Sequence, residues 1–272
     1  MKTTITLLLL VGVLTGAQAQ SSFQPYPTLD LNFAMGFPVG EFGKTTNDAG
    51  FGADFGVYFP VSKRANWIKV GPQFMVLGTG SDTQRETQEI EISLGGQVID
   101  VIELPLRIVT SNTLIGGHAV LRANAPINNP YLEPYLQGMI GFRRLATTVR
   151  IFDESDEGYF NPDEDGEISN STPIEDWVFS YGGGGGVQIR LNKFIFLNLS
   201  ALFLLGGEAE YYTKEDIKNF QFNFVGNNYT SGSPDLDPDD FELDATPSKS
   251  KTPMVQGNVG ITILFSPEMK NQ

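Results

Sequence analysis

The chain has no cysteine and a single histidine. The first absence removes thiol catalysis, thiolate metal sites, disulfide staples and lipid attachment through an N-terminal cysteine. The second leaves little room for a multi-histidine metal centre or a histidine proton relay. Charge is scarce too, at 18% of residues against about 25% in an average soluble domain. What there is leans one way, with 18 Lys and Arg against 32 Asp and Glu. Nucleic-acid backbones are held by clustered basic residues, so no nucleic-acid partner is expected. What is abundant is glycine (30 residues) and aromatics (11%), which rules out a disordered acidic tail or a coiled coil. The length of 272 residues suits one large barrel as well as two ordinary domains.

Met1–Ala19 reads as a secretory signal peptide. Lys2 supplies the charged start, Leu7 to Val13 the apolar core, and Ala17-Gln18-Ala19 the small-residue cleavage site. The apolar run is too short to cross ~30 Å of hydrocarbon. The expectation is Sec-dependent export and a mature domain spanning residues 20–272. Losing Lys2 leaves 17 bases against 32 acids, a formal −15. No later segment approaches twenty apolar residues, so if the protein sits in a membrane, helices do not hold it there.

From Thr28 the apolar period is two. Leu29, Leu31, Phe33, Met35 and Phe37 alternate with Asp30, Asn32, Ala34 and Gly36, and Phe51–Phe59 repeats the pattern. Strict alternation is the signature of a strand. Further runs follow at Trp67–Leu77, Ser111–Asn124, Tyr131–Arg144, Trp177–Arg190, Phe194–Tyr212 and Met254–Phe265. That makes eight, long enough for tilted strands crossing a bilayer, which need about 9–11 residues. The connections Pro60–Asn66, Ala125–Pro130 and Leu191–Lys193 are short. Those at Pro38–Ala49, Leu77–Thr110, Ile151–Asp176 and Thr213–Pro253 are long. Short turns at one end and long loops at the other is the layout of a transmembrane up-and-down barrel. A soluble lipocalin-like barrel also has eight strands, and the two differ in which face is apolar.

Here one face of the runs is nearly free of charge, while the other carries Asp30, Asp54, Lys69, Gln73, His118, Arg122, Glu133, Gln137, Gln188 and Arg190 among glycines. An eight-stranded barrel has an interior just wide enough for side chains to fill, and small glycines among paired charges suit it. Aromatics gather at the ends of the runs. Tyr58, Phe59, Trp67, Tyr131, Phe194 and Phe196 lie near the short turns, and Phe37, Phe51, Trp177, Phe179, Tyr211 and Tyr212 near the long loops. Two belts at the headgroup levels are expected.

The stretches Thr110–Arg122 (TSNTLIGGHAVLR), Pro130–Phe142 (PYLEPYLQGMIGF) and Phe179–Arg190 (FSYGGGGGVQIR) resemble the OmpA/OmpX-like outer-membrane β-barrel domain of Bacteroidetes. The resemblance implies fold and location for most of the mature chain, with outer-membrane lipid and the barrel-assembly machinery as partners. It implies no activity. The chain departs from the family in one respect. Insertion signals usually end on an aromatic, whereas Phe265 is followed by Ser266–Gln272.

Trp67–Asn124 holds more alternating sequence than a membrane needs. Glu89-Ile-Glu-Ile-Ser and Val98-Ile-Asp-Val-Ile-Glu-Leu flank a turn at Leu94–Gln97, and Gly78–Thr83 interrupts the first arm. One long hairpin is expected, its outer part (residues 79–110) offering free edges for β-augmentation by a protein partner.

Asp30, Lys69, Arg122, Glu133 and Arg190 share the lumen face near the short turns, and are expected to form a charge network that blocks permeation and sets register. His118 shares that face with Arg122, while Ser111, seven residues away, falls on the other. A lumen-filling histidine is therefore expected rather than a catalytic one. Gly182–Gly186 lacks the Lys-Ser/Thr and the helix of a phosphate loop, and reads as tightly curved strand. Asn161-Pro-Asp163-Glu-Asp165-Gly-Glu167 matches the opening of a calcium loop, but Thr172 stands where the bidentate glutamate belongs. Weak calcium binding through Asn161, Asp163, Asp165 and Glu167 is set against a merely solvated acidic loop, and no other cofactor is expected. A second acidic run, Asp235–Asp244, occupies the last long loop.

Together these features give an all-β fold: an eight-stranded antiparallel up-and-down transmembrane β-barrel with an extended extracellular hairpin. The expected function is non-catalytic, a plugged outer-membrane anchor whose long acidic surface loops engage partners or cations. The alternatives are an enzyme acting on envelope lipids through His118, and a narrow solute channel.

Overall fold

The computed structural model of the chain describes residues 25–46, 49–94, 97–127, 129–154, 167–213, 216, 221–224, 241–244 and 246–266. In chain order the elements are β1 (Thr28–Pro38), the helix α1 (Gly40–Thr46), β2 (Gly50–Pro60), β3 (Ile68–Leu94), β4 (Gln97–Asn124), β5 (Leu132–Asp153), β6 (Glu167–Arg190) and β7 (Ile195–Gly206). Four short strands follow, β8 (Glu208–Tyr211), β9 (Gln221–Phe224), β10 (Phe241–Asp244) and β11 (Ser248–Lys251), and then β12 (Met254–Leu264). The strands β1–β7 and β12 close into one barrel, each antiparallel to its neighbours in sequence, with β12 returning to β1. Among the short strands β8 pairs with β11 and β9 with β10.

The alternation sorts the side chains as expected from the sequence, but with the polarity of a soluble barrel reversed. Leu31, Phe33, Phe55, Phe74, Leu121, Leu136, Ile140 and Phe203 are exposed on the outside, while Asp30, Asn32, Asp54, Gln73, Arg122 and Gln188 are buried inside. On β1 the two classes exchange at every residue from Thr28 to Ala34.

Several elements differ from expectation. The run Phe194–Tyr212 divides at Gly207 into β7 in the barrel and β8, which pairs with β11, and the last long connection holds β9, β10 and β11. The long connection at Ile151–Asp176 is strand at both ends, because β5 continues to Asp153 and β6 begins at Glu167, with Phe152 opposite Glu167. Thr148-Val-Arg-Ile alternates, but a window centred on the acidic stretch hides it. The first outer loop holds α1, a helix of 7 residues, too short to announce itself by periodicity. The long hairpin forms as read. β3 and β4 run 27 and 28 residues and meet at Leu94 opposite Gln97. The register shifts between Gly78 and Ser81, where Gly80 takes φ 97°, a bulge that re-aims the outer arm.

The belts are less tidy than the sequence implied. Phe37, Phe51, Phe59 and Tyr131 are exposed at the strand ends, Trp177 and Phe179 are exposed in the middle of β6, which extends outward to Glu167, and Tyr58, Phe196, Tyr211 and Tyr212 are buried. Parity overrides position here: Tyr58 and Phe196 fall on the inward beat of their strands. Phe33, Phe55, Phe74 and Phe203 lie outside at mid-wall, where Phe55 and Phe74 stack across register-paired positions at 5.3 Å.

The glycine run of β6 lets strands approach closely. A Cβ on Gly184 would sit 2.0 Å from the Ala201 carbonyl oxygen, whereas one on Gly138 would meet nothing nearer than 4.0 Å. Gly184→Ala is therefore expected to destabilise the barrel by about 1–3 kcal/mol through overpacking, with Gly138→Ala within about 0.5 kcal/mol of the parent. Urea unfolding followed by the heat-modifiable gel shift compares the two, and equal midpoints would refute the tight interstrand approach.

Candidate functional site in the barrel lumen

The lumen is built in two layers. At the short-turn end, β1 contributes Asp30, whose carboxylate lies 2.8 Å from Arg122 on β4, with both side chains nearly inaccessible. Arg122 also donates through Nε and Nη2 to Gln137 Oε1, at 3.0 and 2.9 Å. Its guanidinium is sandwiched between the rings of Tyr58 and Tyr135, 3.9 and 4.2 Å from their centroids. Thr262 donates to the other Asp30 oxygen at 2.6 Å, and Gln188 donates to Thr262. Beside this cluster Arg190 pairs with Glu133 at 2.9 Å and rests over Phe196. Lys69 is buried and faces Arg122 in register. It forms no ion pair among the described residues. Of the five charges expected to meet here, four form two ion pairs and the fifth lies against them.

One step further out, Asp54 accepts from the amides of Asn32, Gln73 and Gln256. Asn32 in turn accepts from Asn198, which accepts from the Tyr135 hydroxyl. This amide cage was legible only in part, since parity marks each member as inward but not which strands face each other across the lumen. A carboxylate this deep is retained when several donors surround it, whereas a half-satisfied network would be worse than an apolar core.

The outer layer is apolar. Met75, Leu77, Leu114, Met139, Leu145, Val178, Leu202, Leu204 and Met254 form one buried cluster inside the wall. The sequence had suggested glycines and paired charges throughout. The cause of the difference is the same parity read further along, because each of these residues lies an even number of positions from a polar lumen residue of its strand. Over this layer α1 forms a lid. Phe42 meets Tyr211 edge-on at 5.1 Å, Thr45 and the Tyr211 hydroxyl share a hydrogen bond of 2.7 Å, and the Val39 amide donates to Pro253. A small cavity remains under the lid, lined by Phe42, Thr46, Thr79, Asn112, Leu145, Thr147 and Tyr211.

His118 is buried in the lumen with Nε2 3.1 Å from Ser180 Oγ on β6, a partner supplied by the β4–β5 and β5–β6 ladders through Gly141 rather than by its own strand. Arg143, which shares the inward parity of Glu133 and Gln137, is fully buried and was not singled out in the sequence. Of the proposed calcium ligands, Asn161, Asp163 and Asp165 lie outside the described residues, and Glu167 begins β6. No cluster of metal-ligating side chains occurs among the described residues. Beyond the outer end of the apolar wall, Arg144 pairs with Glu175. The hydrogen bonds from Arg144 and then Trp177 hold the Glu175 carboxyl below its ordinary value.

The fold and interior define a closed eight-stranded antiparallel barrel whose described inward side chains form ionic, amide and apolar layers. No protein-family model and no curated protein matches the chain. Solved structures do. Neisserial surface protein A is 9% identical over 88% of this chain and 96% of its own, with a TM-score of 0.40. Ail, the attachment invasion locus protein of Yersinia pestis, is 11% identical over 89% and 100%, with a TM-score of 0.36. The N-terminal β-barrel domain of Pseudomonas aeruginosa OprF is 10% identical over 88% and 100%, with a TM-score of 0.32. Nothing in these matches ties the chain to the Bacteroidetes in particular.

The Asp30–Arg122 pair makes a sharp energetic expectation. Removing one buried partner strands the other charge and costs about 3–5 kcal/mol, whereas replacing both is close to neutral. Asp30→Asn and Arg122→Met should each lower the unfolding midpoint strongly, and the double variant should recover most of the loss. Additive losses in urea titrations of the refolded protein would contradict the pairing.

Proposed function

We propose that the protein is an outer-membrane barrel, exported through the Sec pathway and inserted by the barrel-assembly machinery. Its sealed lumen makes it an anchor, and its outer strands form the working surface. The observation that carries this reading is the apolar exterior wall around a polar and ionic interior. Leu31, Phe33, Phe74, Leu136, Ile140 and Phe203 stand exposed on the wall, a surface that water does not favour and acyl chains do. The exposed Tyr131 and Trp177 suit the two headgroup levels. On this reading the short turns are periplasmic and the acidic long loops extracellular.

The surface offered outside is the sheet β3–β6. β4 is covered by β5 as far out as Leu106, opposite Asp153, so over that stretch the hairpin has one free edge rather than two. That edge belongs to β3, which pairs with β2 only as far as Gly78. An extended segment of a protein partner added there would complete the ladder. Calcium held by the acidic loops belongs to the same reading.

The His118–Ser180 pair is the specific feature that favours a second reading, an envelope-lipid hydrolase. Ser180 is fully buried inside the lumen, behind a wall that an acyl ester cannot cross, so the anchor reading is stronger. His118→Ala is expected to leave the lipid A and phospholipid profiles of producing cells unchanged.

Two measurements on the reconstituted protein test the main reading. Trp177 is 60% exposed on the outside of the wall, so lipids brominated along the acyl chain should quench tryptophan fluorescence, and Trp177→Phe should remove most of the quenching. Planar bilayers containing the barrel should show no stable unit conductance. Unquenched fluorescence would remove the membrane reading, whereas steady conductance would keep the membrane and remove the plug.

A further inference from the structure

The charges of the lumen balance except at one place. At the short-turn end and in the middle, Asp30, Asp54 and Glu133 stand against Lys69, Arg122 and Arg190. Arg143 lies further out, within the apolar layer, and is 0% exposed. It forms no ion pair with a carboxylate among the described residues. Its one satisfied nitrogen is Nη2, which donates to the Thr252 carbonyl and hydroxyl. Nε and Nη1 are buried without an acceptor, and they carry three of the five N–H donors of a guanidinium. Asp176, further out on the same face of β6, instead accepts from the Glu210 amide.

The neighbourhood is shaped around this side chain. A Cβ on Gly206 would lie 2.0 Å from Arg143 Nη2, so any larger residue there would push the guanidinium from its present place. Ser180 and His118 bring a hydroxyl and an imidazole to the same stretch of the lumen. A buried unpaired cation is among the most destabilising arrangements a protein can hold, and apolar neighbours such as Val178 and Leu145 offer it nothing.

We propose that Arg143 is the centre of a structural binding site for a small monovalent inorganic anion, of the chloride class, enclosed beneath the α1 lid. The anion accepts from the free N–H groups of Arg143 and neutralises the surplus positive charge of the lumen. A hydroxyl as donor from Ser180 completes the shell, with His118 Nε2 then relieved of its hydrogen bond. The site rests on the closed barrel alone and is independent of where the barrel resides.

Bromide provides the probe. Crystals of the full barrel soaked in bromide should show an anomalous peak against Arg143 Nε or Nη1. In detergent at constant ionic strength, made up with gluconate, raising bromide ~100-fold above its dissociation constant should lower the unfolding equilibrium constant by up to ~100-fold. Arg143→Met should abolish that dependence, and in the absence of halide should be no less stable than the parent. The proposal is overturned if the bromide-soaked crystal shows no peak at Arg143, or if parent and variant respond alike to bromide. Should Arg143→Met fail to refold, the crystal measurement on the parent protein decides alone.

Discussion

The structure depends on the seam between its first and last strands. β1 and β12 pair over eleven residues, from Thr28 opposite Leu264 to Pro38 opposite Met254. Without that ladder the chain would be an open sheet with two long unpaired edges. With it, every barrel strand is paired on both sides around the ring that all eight share, and the interior becomes a fixed volume. The inward beat of eight strands then has to fill that volume without voids, and the outward beat is left to whatever surrounds the wall. The ion pairs, amide cage and apolar cluster are three local solutions to this one packing problem.

Those solutions are ordered along the barrel axis. At the short-turn end, where residues 60–66, 125–130 and 191–193 join the strands closely, the filling is ionic and bridged between strands far apart in sequence, such as β1 with β4. Towards the outer mouth it is hydrophobic and covered by α1. Among the described residues the interior is therefore filled by two chemically different layers in series.

Much of this was legible from a period of two. Strand number, the short turns, the long hairpin with its interruption at Gly78–Thr83, and the inward placement of Asp30, Lys69, Arg122, Glu133 and Arg190 all follow from parity and turn residues. Parity places a side chain inside or outside, but it does not say which strands face each other across the lumen. The contact of His118 with Ser180, 62 residues away, and the stacking of Arg122 between Tyr58 and Tyr135 needed the register of several ladders at once. Tyr58 and Phe196 were misplaced because nearness to a strand end was weighed above the beat of the strand. Arg143 went unnoticed because Arg144, its neighbour, faces out and makes the pair look like one surface charge cluster.

The wall is not of even height. β1, β2, β7 and β12 have 11 or 12 residues, whereas β3, β4, β5 and β6 have 22 to 28. At ~3.3 Å per residue that is ~40 Å of strand against ~70–90 Å. Half the circumference is therefore a low rim and the other half a tall screen, so the outer face has a front and a back. Among the described residues α1 lies on the low side, while the opposite side is continuous sheet. Rotation about the barrel axis thus becomes a variable that matters for anything lying beside the wall.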